Sequence, residues 1–130
     1  MPVSSMAENP LLHVVTVVVI DDNIDAADAL SEVLASCGYE VLTAYGARAG
    51  LRLVEDFAPQ AVVSDLEMPE MSGLEEAEII RAMPLKRQPR LVAVTGAADA
   101  EMQRRAQKAG FDFFLGKPTA LPDLLNALRA

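Results

Sequence analysis

The sequence contains a single cysteine, Cys37, among its 130 residues. One cysteine cannot form an internal disulfide framework, and it also excludes a metal site built from several cysteines. Proteins without disulfides are typical of reducing compartments, so we expect a cytoplasmic protein.

Long hydrophobic runs are also absent from the sequence, and we expect no secretory signal. The apolar run over residues 11–20 is too short to span a bilayer, which needs about 20 apolar residues, and it ends in charged residues. The amino-terminal stretch MPVSSMAENP has no basic start, and no small-residue cleavage site follows the apolar run. We therefore predict no membrane segment, a flexible lead-in over residues 1–13 and one domain over residues 14–130.

Basic residues are scarce, since 11 Lys and Arg stand against 19 Asp and Glu and give a formal net charge of -8. This acidity disfavours the phosphate backbone of nucleic acids as a partner. The charges are also unevenly placed: residues 1–80 carry 15 acids and two bases, whereas residues 81–130 carry four acids and nine bases. An acidic site and a basic contact face can thus lie on different parts of the surface.

Hydrophobic residues, by contrast, are abundant. They form 52% of the chain, with 23% charged residues, and this balance excludes the signature of a disordered protein. A chain of this length makes about one domain and buries roughly two thirds of its unfolded surface, so we expect a real core. Short runs rich in β-branched residues recur and predict strands at 14–20, 40–44, 61–64, 91–95 and 113–115.

Segments of helical period lie between these runs. Two apolar stripes have the spacing i, i+3, i+4, i+7, and they are Leu30, Val33, Leu34, Cys37 and Leu121, Leu124, Leu125, Leu128. The first stripe predicts that Cys37 is an inert core thiol. Helix ends are marked by Gly38, Pro59, Pro84 and Gly110. Five alternating strands and helices predict an α/β fold with a five-stranded parallel sheet covered by helices on both faces.

Polar residues stand where the predicted strands end, and ligands of open α/β sheets bind outside those carboxyl ends. The residues at this rim are Asp21, Asp22, Asp65, Thr95, Gly96, Lys117 and Pro118. Each has an ordinary structural explanation when taken alone. Either Asp22 or Asn23, for example, is suited to cap the first helix, and Lys117 could be a solvated surface lysine.

Taken together, these residues predict a charged site. Three carboxylates within a few ångströms raise one another's pKa values, so a positive charge should lie among them, and Lys117 offsets only one. Oxygen ligands favour Mg²⁺, which accepts carboxylates, waters and a phosphate oxygen. Such a set suits phosphoryl transfer to an aspartate, with Thr95 as a hydrogen-bond donor to the phosphoryl group and Gly96 leaving room for it.

Four motifs resemble the receiver domain of two-component response regulators. VVVIDDN resembles the first strand and acidic pair of that family, and VVSDLEMPEMSG resembles its phosphoacceptor strand and loop. VAVTG and FLGKP resemble its Thr and Lys-Pro signatures. The order and spacing of the motifs are highly specific and extend over almost the whole chain. The resemblance implies a flavodoxin-like (βα)5 fold with strand order 2-1-3-4-5.

The resemblance implies roles for the residues at the rim. Asp65 would be the phosphoacceptor and would ligate Mg²⁺ together with Asp22, while Asp21 helps through water and Glu67 offers its backbone carbonyl. Thr95 and Lys117 would hold the phosphoryl oxygens. A cis peptide bond is implied between Lys117 and Pro118, which an X-Pro bond adopts at little cost.

A conformational switch is also implied by the resemblance. Phosphorylation would draw Thr95 toward the phosphoryl group, and Phe114 would then turn inward, although a packed strand residue is the simpler interpretation of Phe114. The bases of the fourth helix could form a solvated face or, in a region that receivers use for output, a partner face; they are Arg104, Arg105 and Lys108. His13 has no partner motif and is expected at the surface or a strand edge.

The leading hypothesis is a phosphoprotein of a two-component phosphorelay, without an output domain in this chain. It would take a phosphoryl group from a sensor histidine kinase or a histidine phosphotransfer domain and change its protein contacts. It would then be no enzyme, apart from catalysing its own phosphorylation and autodephosphorylation. One alternative is a phosphatase of the haloacid-dehalogenase type, because the stretch from Asp65 to Glu67 resembles a D-x-D pair. The other is a scaffold that works without phosphorylation.

Overall fold

The computed structural model describes residues 16–129, and the ordered elements alternate between strands and helices. The strands are β1 (Thr16–Ile20), β2 (Glu40–Ala44), β3 (Ala61–Asp65), β4 (Arg90–Thr95) and β5 (Phe113–Gly116). The helices are α1 (Ile24–Ser36), α2 (Ala47–Phe57), α3 (Gly73–Ala82), α4 (Ala100–Ala109) and α5 (Leu121–Arg129). The predicted lead-in over residues 1–13, with His13, lies outside the described residues, as do the predicted domain limits at 14 and 130.

All strand pairs are parallel, and the sheet has the order β2-β1-β3-β4-β5. The predicted parallel α/β fold and its strand order are therefore confirmed. The chain places β1 beside β3 and leaves β2 at the edge, so the direction of winding reverses at β1. The carboxyl ends of β1 and β3 consequently lie next to each other at the switch point.

Two hydrophobic clusters cover the two faces of the sheet. Val17 and Val19 of β1 pack with α1 and α5, whereas Val18 and Ile20 pack with α2, α3 and α4. Successive strand residues point to opposite faces, and this explains why the run VVVI is apolar throughout. Since all four side chains are at most 1% exposed, β1 is a fixed central support for the residues that follow it.

Polar caps fix the start of the helices near the rim. Asn23 caps α1, because its side-chain oxygen accepts a hydrogen bond from the backbone of Ala26 at 3.0 Å. The structure thus decides between the two predicted caps, and the Asp22 carboxylate stays available for the rim. Ser72 and Glu75 form a capping box at the start of α3.

Cys37 is exposed, so the prediction of a core thiol was wrong. The helix α1 ends at Ser36, and Cys37 follows as its C-cap with φ -88° and ψ 2°. The apolar stripe therefore stops one turn before Cys37 and buries Leu34, while Val33 is 39% exposed. A spacing rule assumes that the helix continues, and here it does not.

The apolar stripe of α5 is confirmed in part. Leu124 and Leu128 are buried, but Leu121 is 37% exposed at the start of the helix. Ala127 is buried at 3% exposure, so the face that packs on the sheet is rotated toward this small residue. The stripe on the sequence identified the helix correctly and placed its buried face only approximately.

Candidate functional site

The acidic rim is assembled by the pairing of β1 with β3. Ile20 lies opposite Ser64 in this pair, so Asp21 and Asp65 leave their strands side by side. The carboxylates of Asp21, Asp22 and Asp65 can each offer one oxygen to a common point, with these oxygens all within 4.8 Å of one another. The three aspartates predicted from sequence therefore form one cluster of oxygen ligands.

Lys117 reaches this cluster from β5. Its Nζ lies 3.0 Å from Asp21 Oδ2 and 3.6 Å from Asp65 Oδ2. The peptide bond between Lys117 and Pro118 is cis, as the resemblance implies. The backbone N–H of Lys117 donates to the carbonyl of Thr95 at 2.9 Å, and this bond ties the end of β5 to the end of β4.

Backbone N–H groups hold the Oδ1 atoms of Asp21 and Asp65, the two carboxylates whose Oδ2 atoms face Lys117. Asp21 Oδ1 accepts a hydrogen bond from the N–H of Asn23 at 3.0 Å, and Asp65 Oδ1 accepts one from the N–H of Glu67 at 3.3 Å. Each aspartate thus directs Oδ1 to its own loop and Oδ2 to Lys117. The loops after β1 and β3 hold the two Oδ2 atoms at the ammonium group.

Burial sets the electrostatics of the site. It raises the pKa of the Asp65 carboxyl, and the opposing effects of Lys117 and of the backbone N–H of Glu67 do not fully cancel this. Burial lowers the pKa of the Lys117 ammonium, but the hydrogen bond to Asp21 and the charges of Asp65 and Asp21 outweigh it, so the net shift is upward. Burial thus disfavours the anionic form of Asp65 more than Lys117 and the backbone N–H groups favour it.

Thr95 lies at the end of β4, beside β3, and is fully buried. Its Oγ1 accepts a hydrogen bond from the N–H of Ala97 at 3.1 Å, which leaves its own hydroxyl proton available to donate. A Cβ at the next residue, Gly96, would meet nothing within 4 Å. The space beside Gly96 is therefore open, and its use by a phosphoryl group stays a prediction.

The other predicted residues lie around this cluster rather than in it. Glu67 is exposed on the loop after β3, and Phe114 is half-buried on β5. The bases of α4 are exposed on the helix surface, as predicted, and they are Arg104, Arg105 and Lys108. The roles of Glu67 in metal binding, of Phe114 in switching and of these bases in partner contact stay predictions.

Sequence reasoning missed Glu76 of α3, which is 1% exposed. Its carboxyl Oε1 lies 2.7 Å from the Oγ of Ser64, the residue before Asp65. Periodicity could have found it, because Glu76 follows the buried Gly73 by three positions and precedes the buried Ile80 by four. An acid on the core face of a helix is the signal that was overlooked.

A family model described as the response regulator receiver domain matches residues 17–129. The chain belongs to this family. Two curated relatives agree with this assignment. A probable chemotaxis protein CheY of Rhizobium etli is 25% identical over 117 residues, which cover 89% of this chain and 91% of that protein. Response regulator MprA of Mycolicibacterium vanbaalenii is 35% identical, and the match covers 89% of this chain but 49% of MprA.

Solved structures of receivers have the same fold. The chemotaxis response regulator CheY4 of Vibrio cholerae is 27% identical to this receiver and superposes with a TM-score of 0.80, over 88% of this chain and 95% of that one. Within residues 16–129, no helix of the receiver combines the length and the apolarity that crossing a membrane requires.

Proposed function

We propose that Asp65 accepts a phosphoryl group from a phosphohistidine of a partner protein in a reaction that depends on Mg²⁺. The observation that carries this proposal is the convergence of Asp21, Asp22 and Asp65 with Lys117 at the switch point of the sheet. The donor would be a sensor histidine kinase or a histidine phosphotransfer domain. Phosphorylation would change the contacts of the receiver with other proteins.

The acidic cluster fits a hard divalent cation. All the side-chain ligands are carboxylate oxygens, and burial raises the pKa of Asp65, so an added positive charge would favour its anionic form. Asp21, Asp22, Asp65 and the backbone carbonyl of Glu67 would hold Mg²⁺. When bound there, the ion supplies positive charge that offsets the negative charge of the transferred group.

Asp65 provides the nucleophile of the proposed reaction. A carboxylate oxygen of Asp65 forms a bond to phosphorus, and the bond between phosphorus and the partner's histidine nitrogen breaks with its electron pair returning to the imidazole ring. Oδ2 is the oxygen suited to attack, because it faces Lys117, whereas Oδ1 is held by the N–H of Glu67. The carboxyl group stays oriented during the transfer.

Lys117 and Thr95 would bind the oxygens of the transferred group. Lys117 Nζ lies 3.6 Å from Asp65 Oδ2, close enough to contact an oxygen of a group attached to Asp65. The Thr95 hydroxyl has a proton to donate, and its buried side chain would move toward the phosphoryl group. This movement is the proposed start of the switch.

Phe114 is the proposed second part of the switch. It is half-buried on β5, opposite Ala93 of β4, and it borders a cavity of about 120 Å³ together with Phe111 and Phe113. A displacement of Thr95 would change the packing at the end of β4 next to it. Inward rotation of Phe114 would then alter the surface between β5 and α4.

A basic face on α4 is the proposed contact for a protein partner. Arg105 and Lys108 border a groove against Glu75 and Glu78 of α3, and Arg104 pairs with Glu101. The net charge of -8 opposes nucleic-acid binding, so a protein is the better partner. We further propose that the receiver works in the cytoplasm, where histidine kinases present their phosphohistidine.

Intact-mass spectrometry tests the proposed acceptor. The protein is incubated with acetyl phosphate and Mg²⁺, and we expect a mass gain of one phosphoryl group that is lost in Asp65→Asn. Removal of Mg²⁺ by a chelator should abolish the gain. A mass gain that survives Asp65→Asn would place the phosphoryl group elsewhere.

Two further measurements separate the two alternative functions. Continuous release of phosphate from small phosphoesters would support the phosphatase, since the proposed receiver catalyses only its own phosphorylation and dephosphorylation. Equal binding of a partner by the phosphorylated and unphosphorylated protein would support the scaffold. The presence of all three aspartates and Lys117 favours the phosphorylated receiver over both.

A further inference from the structure

Glu76 is an ionisable residue in the core that the proposed phosphoryl chemistry does not use. It lies on α3 between the buried residues Gly73, Ala77 and Ile80 and is 1% exposed. A charged carboxylate at such a position is strongly disfavoured unless it is paired. Among residues 16–129, no lysine or arginine forms an ion pair with Glu76.

One side-chain hydrogen bond links Glu76 to the strand that carries Asp65. Ser64 Oγ lies 2.7 Å from Glu76 Oε1 and 2.9 Å from the backbone carbonyl oxygen of Asp65. Glu76 Oε2 has no hydrogen-bond partner among the described residues. It faces Gly50 of α2, where a Cβ would come within 3.2 Å of it.

If Glu76 is ionised, Glu76, Ser64 and the carbonyl of Asp65 together have fewer hydrogen-bond donor protons than acceptor oxygens. The two carboxyl oxygens of Glu76 and the carbonyl oxygen of Asp65 are acceptors, and the Ser64 hydroxyl provides one proton for them. A proton on Glu76 completes the chain. Glu76 then donates to Ser64 Oγ, and Ser64 donates to the carbonyl of Asp65, so the hydroxyl no longer has to serve two acceptors.

The electrostatic surroundings agree with a neutral Glu76. Burial raises its pKa to about 8, and the hydrogen bond from Ser64 lowers it only in part. Gly50 on α2 and Ser64 on β3 lie against Glu76 and do not titrate, and within residues 16–129 no charged side chain contributes to the shift. The protonation of Glu76 is therefore set by burial and by Ser64 alone.

The first turn of α3 also lies directly against the phosphoacceptor backbone. The N–H of Gly73 donates to the carbonyl of Leu66 at 2.9 Å, and a Cβ on Gly73 would lie 2.5 Å from the carbonyl oxygen of Asp65. Glu76 follows Gly73 by one turn of the same helix. The chain from Ser64 to Leu66 is thus attached to α3 at two places, by Glu76 on one side of Asp65 and by Gly73 on the other.

We propose that Glu76 is a positioning residue for Asp65, which keeps its proton in the folded receiver and thereby holds Ser64 and the carbonyl group of Asp65 in place. When Glu76 loses its proton, its carboxylate accepts the hydrogen bond of the Ser64 hydroxyl, which then no longer donates to the carbonyl of Asp65. The attachment of Asp65 to α3 then loosens at high pH. The predicted effect on phosphorylation rests on the proposed function, whereas the proton and its link to the Asp65 carbonyl do not.

Two measurements on the unphosphorylated protein test the link directly. Infrared spectroscopy near pH 7 should show the carbonyl band of a protonated carboxyl group, lost in Glu76→Gln and kept in Glu78→Gln, whose side chain is exposed. The backbone ¹³C resonance of the Asp65 carbonyl should titrate with a midpoint near 8 in the wild type and not in Glu76→Gln. Absence of the band or of this titration step would overturn the proposal.

The rate of phosphorylation provides the functional test. Dividing the wild-type rate by that of Glu76→Gln at each pH removes the titration of the phosphodonor and of Asp65. The ratio should be constant below pH 7 and fall to roughly a tenth at one pH unit above the pKa of Glu76, where about a tenth of the carboxyl groups keep the proton. A constant ratio up to pH 9 would contradict a positioning role.

A second variant separates hydrogen bonding from packing. Glu76→Leu fills a similar volume but cannot donate to Ser64, whereas the amide of Glu76→Gln can. We expect the leucine variant to phosphorylate more slowly than the glutamine variant at every pH, with equal rates refuting the role of the hydrogen bond. If neither variant nor wild type is phosphorylated at Asp65, the proposed function fails, and the infrared and ¹³C results still decide the protonation of Glu76.

Discussion

Lys117 donates a hydrogen bond to Asp21 Oδ2 at 3.0 Å, although the two residues lie 96 positions apart in the chain. The same ammonium group is 3.6 Å from Asp65, so its closer partner is the acid that the proposed reaction leaves unmodified. Lys117 is thus held at the site before any phosphoryl group arrives. Its pKa is raised by Asp21 and Asp65 against the effect of burial, which keeps the charge in place.

Replacing Lys117 by an apolar residue should slow phosphorylation of Asp65. Lys117→Met removes the charge that would contact the phosphoryl oxygens, and a hydrogen bond to a charged group contributes about 1.5–3 kcal/mol, or roughly tenfold to a hundredfold in rate. Lys108→Met on the exposed face of α4 is the matched control. Intact-mass kinetics with acetyl phosphate measure both, and equal rates for Lys117→Met and wild type would exclude a role of the ammonium group.

Asp22→Asn should weaken Mg²⁺ binding. It removes one charged oxygen ligand while Asn23 still caps α1, so the helix start is preserved. Loss of a residue that only orients a metal ligand costs about tenfold to a hundredfold in metal affinity. We expect the Mg²⁺ affinity of Asp22→Asn to fall by at least roughly tenfold. Isothermal titration with MgCl₂ measures the change.

Asp25→Asn is the control for charge at the same helix. Asp25 is exposed in the first turn of α1 and lies outside the acidic cluster. Its substitution changes the net charge by the same amount as Asp22→Asn and should leave Mg²⁺ affinity within about twofold, since exposed charges are screened by salt. A comparable loss in both variants would show that overall charge, not ligation, governs binding.

Glu76 should make the stability of the receiver fall as pH rises. Its pKa is about 8 in the folded protein and 4.5 ordinarily, so between these values the unfolded chain has released a proton that the folded protein keeps. The stabilisation from Glu76 is complete below about pH 4.5 and is lost as pH rises to 8, with a slope of up to about 1.4 kcal/mol per pH unit. Urea unfolding from pH 5 to 9 measures this slope.

Glu76→Gln isolates this contribution because the amide does not titrate. The free energy of unfolding of the variant, relative to wild type, should increase steadily from pH 5 to 8 and level off above it. Glu78→Gln, which changes an exposed acid on the same helix, should follow the wild type. If the difference in the free energy of unfolding between Glu76→Gln and wild type did not depend on pH, Glu76 would have the same pKa in the folded and the unfolded protein.

Gly73→Ala should destabilise the receiver. The added Cβ would lie 2.5 Å from the carbonyl oxygen of Asp65 and 2.8 Å from Leu66 Cα, and backbone atoms cannot move away cheaply. Overpacking of this kind costs about 1–3 kcal/mol. Gly96→Ala is the control, because its Cβ would meet nothing within 4 Å. Urea unfolding should show a loss for the first variant alone, and equal stability of both would disprove the close contact.

Much of the fold could be predicted because each element leaves a local pattern in the sequence. The run from Val17 to Ile20 is apolar on both faces, and only a central strand of a covered sheet requires this. Gly38 marked the end of α1 correctly, since it follows the cap residue Cys37 with a φ of 101°, but the apolar spacing placed Cys37 wrongly in the core. Cys37 continues the apolar spacing, yet the helix stops at Ser36, because helix ends depend on capping and on the loop to β2 as well as on periodicity.

The aspartates and Lys117 of the site could be predicted because functional side chains of this fold follow the strands directly. Glu76 could not, since its sequence neighbour Glu75 has the same side chain and is exposed at the capping box. Which of two adjacent acids enters the core is decided by how α3 rotates against the sheet. Gly73 fixes that rotation through its contact with the backbone of Asp65 and Leu66.

The sequence by itself determined the alternation of strands and helices, the acidic ends of β1 and β3 and the lysine after β5, because these depend on residue type and local spacing. Tertiary structure alone decided that Lys117 contacts Asp21 more closely than Asp65, and that Ser64 joins a buried Glu76 to the backbone of Asp65. Distances between residues far apart in the chain, and the burial that shifts a pKa, arise only when the sheet and its helices pack together.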